Sequence, residues 1–416
     1  MQIHLSKSNV LKNSELTLSG SKSETNRLLL LQALFSNISI ENASKSDDAE
    51  VMDRILQNFQ LSNSNFQLFD VHHAGTAMRF LTAYFAQNEG CEVVLTGSNR
   101  MKERPIQILV DALNDLGADI SYLEKEGFPP IKIKGKKLNK SQVSLKANVS
   151  SQYISALLMI SPKLEHGLEL TLEGEITSLP YIQMTLALLN EMCVETFFDE
   201  NAISVKPKST IQDVKFVIES DWSSASYFYS IVALSKIGTQ ITLSSFKENS
   251  LQGDSVLVDI YKNFGIETIF KNNQITILKV ANTQLKTLNL NLSNAPDIAQ
   301  TIAVTCLGLG IGCELTGLHT LKIKETDRLL ALQNEISKFD SAIFVTNNTL
   351  ILQPHQISSK EITIKTYQDH RMAMAFAPLA LMTPLKIEDA EVVSKSFPDF
   401  WEKLKTLGLE MTFVRD

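Results

Sequence analysis

Residues 260–279 read IYKNFGIETIFKNNQITILK (Ile260–Lys279). A helical end stops near Gly265, a short strand follows, Asn272–Asn273 marks a tight turn, and a second strand with alternating apolar residues closes the stretch. Glycine just past a helix adopts a left-handed backbone without steric cost. Asn-Asn suits the positive φ angles of a two-residue hairpin. The stretch predicts a helix running into a β-hairpin.

The pattern recurs along the chain. ALNDLGADISYLEKEGFPPIKIKG (Ala112–Gly135) is a second clear copy. LLNEMCVETFFDENAISVKP (Leu188–Pro207) and NEISKFDSAIFVTNNTLILQP (Asn334–Pro354) are degenerate copies. ILQNFQLSNSNFQL (Ile55–Leu68) and the truncated KLKTLGLEMTFVRD (Lys403–Asp416) are weaker ones. The helix ends recur at intervals longer than the roughly 20–50 residues of solenoid repeats. Strands such as Cys91–Gly97, Leu168–Gly174 and Thr239–Ser245 complete the sheets. Six α/β units in 416 residues predict two domains of three units each, with a short hinge, because no Pro/Gly/Ser-rich linker divides them.

Composition narrows the function. The chain is 44% hydrophobic and 20% charged, as in a globular protein with large cores. Its net charge of −7 argues against a nucleic-acid surface, so any anion site must be locally built. The start, MQIHLSKSNV, has no signal-peptide pattern. The apolar runs Ile302–Ile311 and Met372–Met382 are shorter than the ~20 residues of a membrane span. They read as buried helices in a cytoplasmic protein. Cys91, Cys193, Cys306 and Cys313 form no CxxC and read as small buried hydrophobes. His72 and His73 are adjacent and diverge on any regular element, so no metal site is expected.

Cations and hydroxyls gather where apolar helices begin. In SGSKSETNRLLLLQALF (Ser19–Phe35), the helix is expected to start around Ser21–Ser23 with a serine cap, Lys22 at its mouth, and Ser23 and Arg27 on one face. HAGTAMRF (His73–Phe80) is a Gly-Thr turn into a helix with Arg79. NRMKERPI (Asn99–Ile106) sets Arg100, Lys102 and Arg104 before a Pro-initiated helix. ANVSSQYISALLM (Ala147–Met159) has Ser-Ser-Gln at a helix start. KIKETDRLL (Lys322–Leu330) is expected to begin a helix with Lys324 and Arg328 at i,i+4 and Glu325 between them. TYQDHRMAMAFAPLALM (Thr366–Met382) opens with Asp369, His370 and Arg371, and SKSFPDF (Ser394–Phe400) sets Lys395 before the last helix. Each cluster alone is consistent with a capped helix and surface charge. Together they imply a cationic site for a small, multiply anionic substrate, because helix N-termini attract anions and Arg grips phosphate or carboxylate with two donors. Asp297 and Glu325 are either ordinary helix-start acids or a general base and acid beside bound phosphates.

SGSKSETNR, AGTAMR, RMKERPI, VSSQY, SLPYI, SDWSSASYF, LQGD, APDIA, KIKETDRL, YQDHRMAMA and KSFPDF, in that order from Lys22 to Lys395, closely resemble the 3-phosphoshikimate 1-carboxyvinyltransferase (EPSP synthase) family. The resemblance implies the enolpyruvyl transferase fold, an inside-out α/β barrel. It has two domains, each of three βαβαββ-like repeats, with the active site in the interdomain cleft. The chain would cross twice, giving one domain of residues 20–219 and another of 1–19 with 220–416.

The implied reaction moves the enolpyruvyl group of phosphoenolpyruvate to the 5-hydroxyl of shikimate 3-phosphate, with no cofactor and no metal. Carried over motif by motif, Lys22, Ser23, Arg27, Ser150, Ser151, Gln152, Ser178, Tyr181, Asp297 and Lys324 would contact shikimate 3-phosphate. Lys22, Gly75, Arg104, Gln152, Arg328, Arg371 and Lys395 would hold phosphoenolpyruvate. Asp297 would take the hydroxyl proton; Glu325, with Lys22, would handle the proton on the methylene carbon, and Lys395 would complete the catalytic set. Phe80, His73, Thr320 and Ser220 depart from residues common in the family. The partners expected are two small anions, with the protein as a monomer. Two alternatives share the fold: a carboxyvinyltransferase acting on UDP-N-acetylglucosamine, and a non-catalytic anion-binding protein. The first typically carries a loop Cys that RMKERPI lacks. The second would not need Asp297, Glu325 and Lys395.

Overall fold

A computed structural model describes residues 1–61, 66–148 and 150–414. Two compact units divide the chain, one of Met1–Gly20 with Glu219–Asp416, the other of Ser21–Ile218.

The first segment carries β1 (Gln2–Leu5) and β2 (Asn13–Thr17). The middle segment opens with α1 (Lys22–Leu34), β3 (Ile38–Glu41), α2 (Asp47–Leu61), β4 (Phe66–Asp70), α3 (Gly75–Gln87), β5 (Glu92–Thr96), α4 (Gln107–Asp115), β6 (Asp119–Tyr122) and β7 (Ile131–Lys134). It continues with β8 (Gln142–Lys146), α5 (Ser151–Ile160), β9 (Leu168–Glu173), α6 (Leu179–Glu191), β10 (Thr196–Asp199), β11 (Ala202–Val205) and β12 (Val214–Val217). The last segment runs through α7 (Trp222–Leu234), β13 (Gln240–Ser244), α8 (Leu257–Lys262), β14 (Ile266–Lys271), β15 (Gln274–Lys279), β16 (Thr287–Asn291), α9 (Ala299–Leu309) and β17 (Gly312–Thr316). It ends with α10 (Arg328–Ser337), β18 (Ile343–Val345), β19 (Leu350–Leu352), β20 (Ile362–Ile364), α11 (His370–Phe376), β21 (Leu385–Ile387), α12 (Phe400–Thr406) and β22 (Met411–Val414).

Among the described residues, five four-stranded sheets follow one plan. Their orders are β4-β5-β7-β6, β10-β11-β9-β8, β14-β15-β13-β2, β16-β17-β19-β18 and β20-β21-β1-β22. In each, a parallel pair lies on one side and an antiparallel pair on the other; the antiparallel pair is a hairpin in four of the sheets and joins β1 to β22 in the fifth. Parallel neighbours need a crossover. Helices α3, α5, α9 and α11 supply it for β4/β5, β8/β9, β16/β17 and β20/β21. The first segment completes two of these sheets: β2 pairs with β13, and β1 lies between β21 and β22. Conversely, β12, at the end of the middle segment, pairs in parallel with β3. Gly20 and Ser220, at the two chain crossings, form a β-bridge.

The weak copy at Ile55–Leu68 does not form a helix-and-hairpin unit. Part of it, residues 62–65, lies outside the described residues. Phe66–Asp70 pairs with β5 of the next sheet, so among the described residues β3 has β12 alone as a partner.

The degenerate copies are explained at the helix ends. The turn after α8 uses Gly265 at φ 76°, while Cys193 after α6 (φ 57°) and Asp340 after α10 (φ 59°) adopt the same left-handed backbone without glycine. Cys193 is thus exposed rather than a buried hydrophobe, and Cys91 is half-buried. Asn272 and Asn273 have φ 53° and 56°, as the hairpin reading requires. Thr346 N–H reaches Thr349 O across the other Asn-Asn turn.

Apolar helices fill the interior. Helices α7, α9 and α11 are buried on nearly every face and pack on one another. The strands alternate: in β15, Ile275 and Ile277 face the core while their neighbours are half-exposed. Helices therefore lie inside and sheets outside within the unit. Lys279, the last residue of β15, is 1% exposed and donates to the carbonyls of Ala233 and Phe264, at the ends of α7 and α8. Burial pushes its ammonium down to about 8. The run Met372–Met382 is not one helix: α11 gives way to a 3₁₀ turn, Ala377–Leu381, at Pro378. No helix among the described residues is long and apolar enough to cross a membrane.

Candidate active site

In the unit of Met1–Gly20 and Glu219–Asp416, the starts of three helices meet around one guanidinium. Arg328, the first residue of α10, is 2% exposed. Its Nε donates to Asp369 Oδ2 at 2.7 Å, Nη1 to Asp297 Oδ1 at 3.0 Å and Nη2 to Glu325 Oε2 at 2.8 Å. Each carboxylate comes from a different place: Asp297 from the 3₁₀ turn Pro296–Ile298 leading into α9, Glu325 from the loop before α10, and Asp369 from the cap of α11.

Lys324 and Glu325 precede α10 rather than standing on it, because Asp327 caps the helix at Leu330 N–H. The expected i,i+4 pairing of Lys324 with Arg328 on one helix is therefore replaced by a shared carboxylate. Lys324 Nζ lies 3.6 Å from Asp297 Oδ1. Lys395, at the end of the 3₁₀ turn Ala390–Lys395, sits 2.8 Å from Glu325 Oε1. Arg371 Nη2 lies 3.2 Å from Asp297 Oδ2 and 3.4 Å from Ser223 Oγ at the start of α7.

Asp254 and Ser223 were assigned no role from sequence, although LQGD and SDWSSASYF hold them. Ser223 Oγ donates to Asp254 Oδ2. Burial, then the nearby Asp297 charge, pushes the Asp254 carboxyl up to about 7. Asp297 goes the other way: burial pushes its carboxyl up, but the Arg371, Lys324 and Arg328 cations together hold it well below the usual carboxylate range. The cluster thus sets an ionised carboxylate beside one that holds a proton near neutrality.

In the unit of Ser21–Ile218, Ser21 caps α1 by accepting from Glu24 N–H. Lys22 Nζ lies 3.4 Å from Asp48 Oδ2 on α2. A cavity of about 430 Å³ opens at Asp48, lined also by Arg54, His72, His73 and Ala74. Arg27 is buried: Nε donates to Thr185 Oγ1, Nη1 to Ser23 O, and Nη2 to Ser155 Oγ and Tyr181 O. The rings of Phe80 and Tyr181 flank it. Burial pushes its guanidinium down to about 10. Arg27 therefore ties α1 to α5 and α6 and supports the rim that Ser23 and Tyr181 occupy.

Ser150 caps α5 by accepting from Gln152 N–H, and Gln152 Nε2 donates to Thr76 Oγ1 at 3.0 Å. Ser178 precedes α6 with φ 56°. Serines at the open ends of two helices make a set of hydroxyl and N–H donors suited to phosphate oxygens. Helix α3 begins at Gly75 itself, and Arg79 Nη1 donates back to Gly75 O. A Cβ on Gly75 would lie 2.4 Å from Arg104 Nη1, so the guanidinium rests against the glycine. Pro105 precedes α4 but does not initiate it; the helix starts at Gln107. Among the described residues no group of three or more His, Cys, Asp or Glu side chains could hold a metal ion.

The chain is similar to known proteins along nearly its whole length. The family described as EPSP synthase (3-phosphoshikimate 1-carboxyvinyltransferase) matches residues 7–404. A 3-phosphoshikimate 1-carboxyvinyltransferase of Bacteroides fragilis is 43% identical over 397 residues, covering 94% of each chain. One from Colwellia psychrerythraea is 37% identical over 416 residues, covering 94% of this chain and 96% of its own. The solved structure of an EPSP synthase from Acinetobacter baumannii superposes with a TM-score of 0.81 at 20% identity over 100% of both chains, a likeness of fold.

Proposed function

The chain belongs to the EPSP synthase family, and on that premise we propose how its residues divide the work of enolpyruvyl transfer. The enzyme transfers the enolpyruvyl group of phosphoenolpyruvate to the 5-hydroxyl of shikimate 3-phosphate and releases phosphate, a step of aromatic amino-acid biosynthesis. It works as a monomer in the cytoplasm. The two compact units serve as its two three-repeat domains.

Ser150, Ser151 and Ser178 take the 3-phosphate, and Ser23, Gln152 and Tyr181 the rest of the shikimate ring. Arg27 acts behind them. Lys324 and Asp297 approach the 5-hydroxyl. Arg104 beside Gly75, with Lys22, Gln152, Arg328, Arg371 and Lys395, takes the carboxylate and phosphate of phosphoenolpyruvate.

In the first step the 5-oxygen bonds to C2 of phosphoenolpyruvate. Its proton goes to Asp297, and C3 gains a proton that the Lys395 ammonium, 2.8 Å away, passes through Glu325. In the second step one of the three C3 protons returns through Glu325 to Lys395, the C2=C3 double bond re-forms, and the C2–O bond breaks with its electron pair on phosphate, which leaves with the proton held by Asp297.

Asp297 is a weak base while three cations face it. When the anionic substrates draw those cations away, its basicity rises at the moment a base is needed. The observation that supports this reading is the chain Asp297–Arg328–Glu325–Lys395, in which Arg328 bonds both carboxylates and Lys395 bonds Glu325.

The test is phosphate release from phosphoenolpyruvate with shikimate 3-phosphate in one tube and UDP-N-acetylglucosamine in another. Release in the first alone is expected. Release in the second alone would overturn the acceptor, and release in neither would overturn the reaction.

A further inference from the structure

Helix α10 grips the turn before α11 at two points. Arg328 and Glu335 are seven residues apart, two helical turns, and so share a face. Arg328 holds Asp369 from one end. From the other, Glu335, fully buried, accepts from Tyr367 Oη at 2.7 Å through Oε1, and from Lys365 N–H at 3.0 Å and Lys338 Nζ at 2.5 Å through Oε2. Lys338 is itself tied to Thr363 O.

The segment so held is strained. Tyr367 and Gln368 have φ 54° and 58°, and Asp369 N–H donates to Thr366 O at 2.9 Å. That is a two-residue turn with both central residues in the left-handed region, where glycine or asparagine is the usual choice and this chain has neither. A side chain in that region is disfavoured unless its surroundings impose it. The next residue is Asp369, whose Oδ2 accepts from Arg328 Nε and whose Oδ1 accepts from Arg371 N–H. The turn therefore sets both the carboxylate that orients Arg328 and the backbone from which Arg371 extends.

We propose that Glu335 is a positioning residue of this enzyme: through Tyr367 it holds the Tyr367–Gln368 turn in its left-handed form and so aims Arg328 and Arg371 at phosphoenolpyruvate. Glu335 touches no substrate in this account. The inference rests on the reading of Arg328 and Arg371 as grips for phosphoenolpyruvate, and the experiment separates the two.

The test measures KM for each substrate, kcat and the melting temperature for the wild type and for Tyr367→Phe, Glu335→Gln, Arg371→Lys and the pair Tyr367→Phe/Gln368→Gly. Loss of one hydrogen bond to a charged group is worth about tenfold or more. Tyr367→Phe is expected to raise KM for phosphoenolpyruvate by about that factor and to leave KM for shikimate 3-phosphate within about twofold. Glu335→Gln should do the same or more. Tyr367→Phe keeps the answer readable if the buried Gln variant melts early.

Glycine at 368 removes the left-handed penalty at one of the two turn positions, and Gln368 is exposed. The pair is therefore expected to undo part of the rise in KM, which a merely structural loss would not do. An unchanged KM for phosphoenolpyruvate in Tyr367→Phe, an equal rise for both substrates, or no recovery in the pair would overturn the proposal. If Arg371→Lys also left that KM unchanged, the assignment of the grips would fall instead.

Discussion

Arg328 Nη1 and Asp297 Oδ1 are joined at 3.0 Å in a site where the guanidinium is almost fully enclosed. The same guanidinium reaches Glu325 and Asp369, so one cation fixes the proposed base, the proposed acid and the cap of α11. A fork with five donors can hold three carboxylates in one plane; an ammonium cannot.

Arg328→Gln should therefore cost both fold and function. Removing one partner of a buried ion cluster typically costs about 3–5 kcal/mol, because the others are left unpaired. Thermal melting should show a drop of several degrees, and phosphate release should fall at least about a hundredfold. A variant that melts and turns over like the wild type would show that the cluster is dispensable.

Gly75→Ala is expected to separate binding from stability. The added methyl group meets the far end of the Arg104 side chain, which can move aside, rather than fixed backbone. The melting temperature should change little. KM for phosphoenolpyruvate should rise by about tenfold or more, as expected when a charge-assisted contact worth ~1.5–3 kcal/mol is displaced. Steady-state kinetics with shikimate 3-phosphate held saturating reads this directly.

Asp254 gives a pH dependence of definite sign. Its folded value of about 7 lies above the ordinary 3.8, through burial and then Asp297, against the opposing pull of Arg371 and the Ser223 bond. A raised carboxyl contributes stability that is complete below about 4 and is lost as pH rises to about 7. Asp254→Asn, fixed in a neutral form, should therefore gain on the wild type in melting temperature between pH 4 and pH 7.5. A difference that stays flat or narrows would contradict the raised value.

Lys279 runs the opposite course. Burial lowers its ammonium from 10.5 to about 8, so its contribution grows as pH rises from about 8 toward 10. Lys279→Met removes the donors to Ala233 O and Phe264 O. Its melting deficit against the wild type should be larger at pH 9.5 than at pH 7, and a smaller deficit at the higher pH would refute the shift.

Much of this was legible in the chain. Gly265 with Asn272–Asn273 marks a helix and hairpin by local chemistry alone, and the Ser21 cap follows from the same rules. The start of α10 was misplaced because Asp327, a good cap, follows Glu325 so closely that either turn looks helical. The missing hairpin after α2 was hidden because Phe66–Asp70 has a strand pattern but belongs to the next sheet. Asp254, Ser223 and Glu335 were unreadable as a group. Their roles depend on contacts between residues 31 to 148 positions apart, which no local pattern encodes.

Asp297→Asn is the most direct test of the central claim, that this carboxylate takes the proton of the attacking hydroxyl. Binding of shikimate 3-phosphate by calorimetry and phosphate release by rapid quench should be measured on the same folded sample. The account expects binding within about tenfold of the wild type and release slowed at least about a hundredfold, the usual worth of a general base. Release at the wild-type rate would contradict it and assign the proton to another group.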